Sequence, residues 1–177
     1  MVLLRLCLAA LLLLPGTGQA QTSETETQIK AAFLYKFGAF VEWPPATFAA
    51  PDSPLAIGVL GADALAGELE RVAAGRTVHG RPIQVRRLRR GEPLGGLHIL
   101  FVGAAETAPI DRILQGAKGQ PLLVVTEAQQ GPPPGSMINF VAVDDRVRFD
   151  VALAPAEQGR LKISSRLLAV ARRVIEG

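Results

Sequence analysis

The sequence predicts a three-layer α/β domain: a mixed, mostly parallel sheet flanked by helices, with a C-terminal antiparallel hairpin and helix. Four short apolar runs lie between residues 55 and 127, with the sequences LAIGVLG, PIQVRRL, LHILFVG and PLLVVTE. Helical stretches separate them, ADALAGELERVAA at 62–74 and TAPIDRILQGA at 107–117. Apolar runs that alternate with helices are typical of parallel strands buried on both faces.

The N-terminus has the pattern of a secretory signal peptide. The basic MVLLR segment precedes the apolar run LCLAALLLL, Pro15 ends that run, and the small residues Gly18 and Ala20 follow. We therefore expect residues 1–20 to be removed by cleavage near Ala20 and residues 21–177 to form a single domain. The apolar run is shorter than the roughly 20 residues that span a bilayer, so we do not expect the exported chain to cross the membrane. Cys7 is the only cysteine, so none remains after cleavage.

The segment at 23–43 predicts a long first helix. Ser23 and Glu26 have the spacing of a capping box, and Pro44 and Pro45 stop the helical pattern. The helix is unusually aromatic, and more rings are present than one core-facing stripe can bury. We expect most to pack in the core, whereas Tyr35 and Trp43 carry a polar group and are the better candidates to reach a partner. The aromatic residues are Phe33, Tyr35, Phe37, Phe40 and Trp43.

The C-terminal third predicts a hairpin and a basic helix. INFVAVDDRVRFDVAL at 138–153 turns at Asp144 and Asp145, and we expect its second strand to be an antiparallel edge with Asp150 on the wet face. In the following helix, Arg166 and Arg173 are seven residues apart and are expected together on the outer side. The apolar stripe of that helix would be Leu167, Leu168, Ala171, Val174 and Ile175.

Positive charge is concentrated in two clusters. The formal net charge of +3 is too small to indicate a nucleic-acid partner. Clusters of arginine favour anionic small molecules, acidic protein faces or lipid headgroups, although a solvated surface is the simpler reading. The first cluster is Arg76, Arg81, Arg86, Arg87, Arg89 and Arg90; the second is Arg160, Lys162, Arg166, Arg172 and Arg173.

No group of residues indicates catalysis. Ser164 and Ser165 precede an apolar helical stripe and are expected to cap it, which leaves no convincing nucleophile. His79 and His98 have no second ligand at metal spacing, and we expect His98 to be a core residue. The glycines of GVLGADALAG at 58–67 do not fit a dinucleotide fingerprint. The sequence therefore favours a binding protein without a cofactor over an enzyme.

Two long motifs resemble those of a known family. IKAAFLYKFGAFVEWPP at 29–45 and INFVAVDDRVRFDVALAPAEQGRLKISSRLLAVARRV from residue 138 resemble the terminal signatures of the YfiR family. The resemblance spans roughly residues 28 to 175 and implies a periplasmic α/β protein. Such a protein inhibits an inner-membrane diguanylate cyclase through its periplasmic sensor region, which lowers cyclic di-GMP. The resemblance also implies that an outer-membrane protein would release the cyclase by sequestering the inhibitor.

The resemblance also suggests a partner surface. Asp150, Lys162 and Ser164 occupy signature positions suited to polar contacts, and Tyr35, Trp43, Arg166 and Arg173 complete the predicted partner-binding set. Family members can carry stabilising disulfides, but Leu97 stands where a cysteine often precedes the H-I-L strand, which argues against redox control.

The sequence leaves two points open. The alternative function is a soluble periplasmic receptor for an anionic or aromatic small molecule. It would use the Arg76–Arg90 cluster or the groove between hairpin and last helix. Whether the first helix mediates a homodimer is also open.

Overall fold

A computed structural model of the protein describes residues 17–104 and 110–177, with side chains described from Ser23 onward. The described helices are α1 (Thr17–Phe40), α2 (Asp63–Ala73), α3 (Ile110–Ala117), α4 (Leu153–Gln158) and α5 (Ser165–Val170), with a 3-10 turn at Pro45–Thr47. The first five strands are β1 (Val41–Glu42), β2 (Leu55–Leu60), β3 (Thr77–Val78), β4 (Arg81–Leu88) and β5 (Ile99–Val102). The others are β6 (Leu123–Thr126), β7 (Ile138–Val143), β8 (Arg146–Ala152), β9 (Lys162–Ile163) and β10 (Arg173–Ile175).

The central sheet has eight strands in the order β10-β8-β7-β6-β5-β2-β4-β3. Strands β4, β2, β5, β6 and β7 run parallel, and β8 is antiparallel to β7. Strand β10 is parallel to β8, and β3 is antiparallel to β4. Strands β1 and β9 form a separate antiparallel pair. The predicted mixed, mostly parallel sheet is therefore confirmed.

Helices cover both faces of this sheet. On one face, α1 and α2 bury the larger core, where Phe37 lies 5.7 Å from Phe140 and 5.3 Å from Phe149 between ring centroids. On the other face, Leu114 of α3 packs in a smaller core with Leu100 and Val124. Full burial of each large apolar side chain contributes about 1.5–3 kcal/mol. The three-layer arrangement follows from strands that are apolar on both faces.

The first helix differs from its predicted start. Helix α1 already includes Thr17 and runs through Ser23, so Ser23 is not a capping residue. The Thr27 hydroxyl instead donates to the Ser23 carbonyl, 2.9 Å away, as helical threonines do. The capping-box prediction was wrong because Thr17 to Ala20 are themselves helical, so Ser23 lies inside the helix. None of the described helices is long and apolar enough to cross a membrane.

The predictions for the middle of the chain are largely confirmed. Helix α2 corresponds to the predicted stretch at 62–74. Helix α3 accounts for residues 110–117 of the second predicted stretch, and residues 107–109 lie outside the described part of the chain. Most of the predicted signal peptide, residues 1–16, also lies outside the described part. Asp144 and Asp145 form the hairpin turn with φ of 49° and 56°, the left-handed conformation that a two-residue hairpin requires.

The C-terminus is where sequence and structure differ most. The predicted last helix ends at Val170, and the chain continues as β10 beside β8, so the hairpin is not the edge of the sheet. The Arg172 N–H donates to the Phe149 carbonyl at 2.8 Å, which starts this pairing. Without β10, the outer edge of β8 would have unpaired backbone groups. The β-branched residues Val174 and Ile175 pair with this edge as a strand, which is more favourable than continuing the helix. Consequently Arg166 and Arg173 do not share a helix face.

Candidate functional site

Asp150 is the centre of a buried ionic cluster at the C-terminus. Its side chain has 0% exposure, and Arg172 donates to it from Nε to Oδ1 (2.7 Å) and from Nη2 to Oδ2 (2.5 Å). Arg173 adds a third bond from Nη2 to Oδ2 at 2.8 Å, because the β8–β10 register places Arg173 directly opposite Asp150. The prediction of a solvent-exposed Asp150 was therefore wrong: β10 covers it, and Arg172, just before β10, and Arg173 within it are its partners.

The charge balance of this cluster is positive. Burial alone would raise the pKa of Asp150, but the hydrogen bonds and charges of Arg172 and Arg173 outweigh burial and hold the pKa below its usual value. The side chains of Arg172 and Arg173 are 38% and 53% exposed, so two cations share one carboxylate and are still partly in contact with solvent. The cluster can therefore offer charged donors to a ligand while its anion stays internal.

Two further arginines extend this surface along the hairpin. Arg146 and Arg148 alternate with buried Val147 and Phe149 on β8, so they point to the same side of the sheet as Asp150 and are exposed. We call Arg146, Arg148, Arg172 and Arg173 the hairpin arginine face.

Beneath the hairpin arginine face, a polar network fixes the loop that follows β6. Asn139 lies opposite Asp150, its amide accepts from Thr126 Oγ1 (2.7 Å) and the Ala128 N–H (2.8 Å), and it donates to the Ala128 carbonyl (3.0 Å). Every polar group of Asn139 is paired within the protein, so this residue has a positioning role.

A second group of predicted site residues meets where α1 ends. Strands β1 and β9 place Glu42 opposite Lys162, and the Ser164 N–H donates to the Phe40 carbonyl at 2.9 Å. The Ser164 hydroxyl accepts from the Arg166 N–H at 3.2 Å and caps α5, which confirms the capping prediction for this serine. We call Trp43, Lys162, Ser164 and Arg166 the junction surface.

Trp43 and Tyr35 are both half-buried and use their rings inside the protein. Trp43 Nε1 donates to the His98 carbonyl at 3.1 Å, and its ring meets the imidazole edge-on at 6.2 Å. The Arg76 guanidinium lies 5.5 Å from the Tyr35 ring centroid, in cation–π geometry, on the α2 side of α1. Tyr35 is therefore separate from the junction surface.

The seven predicted residues thus lie in three places. The junction surface belongs to the face that α1 covers, since α5 packs against α1. Asp150 and Arg173 lie on the opposite face of the sheet, because Asp150 alternates with Phe149 in β8. Sequence reasoning omitted Arg172 from the site, although its position beside Arg173 was a usable signal.

His98 is buried, as predicted. It is 5% exposed, its Nδ1 accepts from the Ala56 N–H at 3.1 Å, and Phe48 stacks on its ring at 4.3 Å. Burial and the nearby charge of Arg81 lower the pKa of His98, so the ring is neutral at pH 7 with its proton on Nε2. Within the described residues, no cluster of His, Cys, Asp or Glu could hold a metal ion.

An ionic cavity at the carboxyl end of the sheet was not predicted. Lys30 of α1 contacts Glu127 at 2.7 Å and Glu26 at 2.5 Å, and Glu127 also accepts from the Ala104 N–H at 2.8 Å. The cavity between them has a volume of about 480 Å³. Burial alone would lower the pKa of Lys30, but Glu127 and Glu26 raise it above its usual value. The Glu26–Lys30 spacing was the only local signal for this cavity, because Glu127 is 97 residues from Lys30.

A smaller apolar pocket lies beside α3. Its volume is about 230 Å³, and Leu60, Leu88, Leu94 and Ile113 line it together with Arg89, Arg90 and Arg112. An apolar wall rimmed by guanidinium groups suits a small anionic molecule with an apolar body. This pocket uses two arginines of the first basic cluster.

Comparison with protein families gives one match. The family described as YfiR/HmsC-like matches residues 27–172, which include α1 from Thr27 onward, strands β1 to β9, the hairpin and α5, whereas β10 lies just beyond the match. No curated protein matches the chain.

Proposed function

The chain belongs to the YfiR/HmsC-like family, and from this premise we propose that it is a periplasmic protein that inhibits an inner-membrane diguanylate cyclase. It would do so by binding the periplasmic sensor region of the cyclase. Cyclic di-GMP would fall because the bound sensor holds the cyclase inactive. An outer-membrane protein that sequesters the inhibitor would reverse the effect.

The observation that carries this proposal is the hairpin arginine face. The buried Asp150 fixes the positions of Arg172 and Arg173, and exposed Arg146 and Arg148 continue the same charge along β8. Guanidinium groups held in place lose less conformational entropy on binding, and they recognise carboxylates by bidentate hydrogen bonds. We therefore expect the contacted part of the sensor to be acidic.

The junction surface is the second part of the proposed interface. Arg166 and Lys162 are exposed there, on the opposite side of the sheet from the hairpin arginine face. One sensor domain need not contact both surfaces, so each is tested by its own variant. To inhibit the cyclase, the protein must bind the inactive state more tightly than the active state.

Charge reversal at one exposed residue of each surface tests the proposal. We expect Arg148→Glu or Arg166→Glu to weaken binding to the purified sensor region in titration calorimetry and to raise cellular cyclic di-GMP. Lys118→Glu is the matched control, because Lys118 is an exposed cation just after α3 and belongs to neither surface. Normal affinity and normal inhibition by both variants would exclude these surfaces as the interface.

A second candidate function has a specific observation in its favour. The pocket of about 230 Å³ beside α3 supports a receptor for an anionic or aromatic small molecule, as the Arg76–Arg90 cluster suggested. A ligand present at about 100 times its Kd would stabilise the protein by roughly 2.7 kcal/mol, which thermal unfolding detects. Stabilisation by such a molecule that Arg112→Ala abolishes would support this candidate, whereas a panel without any stabilising molecule would count against it.

A further inference from the structure

Strand β4 has an open edge over most of its length. It pairs with β2 from Ile83 to Leu88, but with β3 only at Arg81 and Pro82. In the described chain, no strand pairs with the outer edge of residues 83–88. Alternate residues of this segment therefore present backbone N–H and C=O groups outward, which is the template to which an extended peptide can add as a further strand.

The two faces beside this edge differ in chemistry. Ile83 and Val85 are half-buried on the α2 side, where they line a groove of about 400 Å³ with Ala73 and Ala74. Gln84 and Arg86 lie on the other face, since side chains alternate along a strand. An added strand would therefore meet the apolar side chains of this groove, which Glu70, Arg76 and Thr77 also line, with one set of alternate side chains and a polar, basic face with the other.

The charge along the edge is strongly positive. No acidic residue occurs between Arg76 and Arg90, and Glu70 of α2 is occupied by Arg87 through two hydrogen bonds of 3.0 and 2.9 Å. Arg86 makes a long bond of 3.3 Å to the Gly95 carbonyl, at the surface. An acidic side chain opposite Arg86 would gain a favourable cross-strand pair.

A second copy of the chain fits this edge poorly. Antiparallel pairing of two β4 strands about a two-fold axis would bring the arginines at 86 and 87 of both copies onto one short ribbon, together with Pro82, which has no N–H. Like charges across a strand pair are destabilising. A partner segment of opposite charge avoids this penalty.

We propose that the outer edge of β4 binds an extended segment of a partner protein in which apolar and acidic residues alternate. The segment adds as a ninth strand, its apolar side chains fill the groove beside Ile83 and Val85, and its carboxylates face Arg86. Backbone hydrogen bonds hold the segment, and the alternation selects its sequence. The proposal does not depend on the cyclase interaction, which uses other surfaces of the molecule.

A synthetic peptide of alternating valine and glutamate, blocked at both ends, tests the proposal. We expect saturable binding in an NMR titration of the purified protein, with slowed hydrogen exchange at alternate amides of residues 83–88. The same peptide with lysine in place of glutamate should not bind. Arg86→Glu should weaken binding about tenfold, and Arg86→Gln by less, while Arg148→Glu on β8, near the opposite end of the sheet, leaves it unchanged.

Three outcomes would overturn the proposal. The first is equal binding of the lysine peptide, and the second is absence of binding by the glutamate peptide, in which case the arginines only guard the edge against aggregation. The third is concentration-dependent protection of the same amides without peptide, which would identify a second copy as the occupant. Arg86 lies outside the surfaces assigned to the cyclase, so Arg86→Glu should still inhibit the cyclase. Measuring this inhibition distinguishes failure of peptide binding at β4 from failure of the proposed function.

Discussion

Arg172 holds Asp150 through two hydrogen bonds, Nε to Oδ1 at 2.7 Å and Nη2 to Oδ2 at 2.5 Å, across 22 residues of sequence. This pair joins β8 to the segment that begins β10, so it connects the hairpin to the C-terminus. The carboxylate is fully buried, whereas both arginines that bind it reach solvent. The consequences of losing either arginine should therefore differ.

Arg172→Ala should cost more stability than Arg173→Ala. Arg172 supplies two of the three hydrogen bonds to a buried carboxylate, and its loss leaves that charge poorly compensated. For Arg172→Ala we expect a decrease of about 2–3 kcal/mol in the free energy of unfolding, which is less than for a fully buried pair because the Arg172 side chain is partly exposed. For Arg173→Ala we expect a decrease of about 1 kcal/mol or less. Urea unfolding measures both, and a reversed order would show that Arg173 is the main partner.

The pH dependence of stability should report the same cluster. The folded-state pKa of Asp150 lies below the ordinary value of 3.8, so the unfolded state binds its proton more readily. The stabilisation is complete above about pH 5 and is lost as the pH falls through the unfolded-state and then the folded-state pKa. Asp150→Asn should be less stable at pH 6 and lose less on acidification to pH 2. Parallel unfolding curves of the two proteins across this range would contradict the assignment.

His98 should produce a second pH effect, at higher pH. Its folded-state pKa is below the ordinary value of 6.5, so the unfolded state takes up a proton first and stability falls as the pH drops from about 7 towards 5. Protonation of Nδ1 would also remove the acceptor that the Ala56 N–H uses. His98→Gln should make the stability profile between pH 7 and 5 flatter, as measured by urea unfolding.

The matched control for His98 is the other histidine. His79 is exposed with a φ of 50°, which asparagine tolerates, so His79→Asn should keep the slope of the wild-type profile. If His79→Asn rather than His98→Gln flattens the profile, the effect does not come from the buried imidazole.

The sheet could be predicted from sequence because its signals are local. Apolar runs such as LAIGVLG and ILFV specify buried strands wherever they occur, and Asp144-Asp145 specifies its own turn. The cluster at Asp150 depends instead on a strand whose residues, 173–175, also fit a helical stripe. The choice between helix and strand is made by the open edge of β8, which no local pattern reveals.

The site was predicted only in part for the same reason. Ser164 was correctly assigned as a cap from its neighbours in sequence, whereas the contacts of Lys30 with Glu127 and of Trp43 with His98 join residues far apart in the chain. The alternation of polar and apolar residues along β8 predicts that Asp150 is exposed, but a strand from the C-terminus covers it and buries its side chain.

Gly103→Ala should be among the most destabilising single-methyl additions in this fold. A Cβ at Gly103 would lie 2.5 Å from the Gly61 carbonyl oxygen, a backbone atom that cannot rotate away, and the Gly103 N–H bonds to the Leu60 carbonyl at 2.8 Å. The loops that follow β2 and β5 would have to separate, at a cost of about 1–3 kcal/mol or more. Gly116→Ala is the control, because a Cβ there meets nothing within 4 Å and alanine should stabilise α3 by up to about 1 kcal/mol. Thermal unfolding of the two variants should therefore shift in opposite directions, and an unchanged Gly103→Ala would show that the two loops can move apart freely.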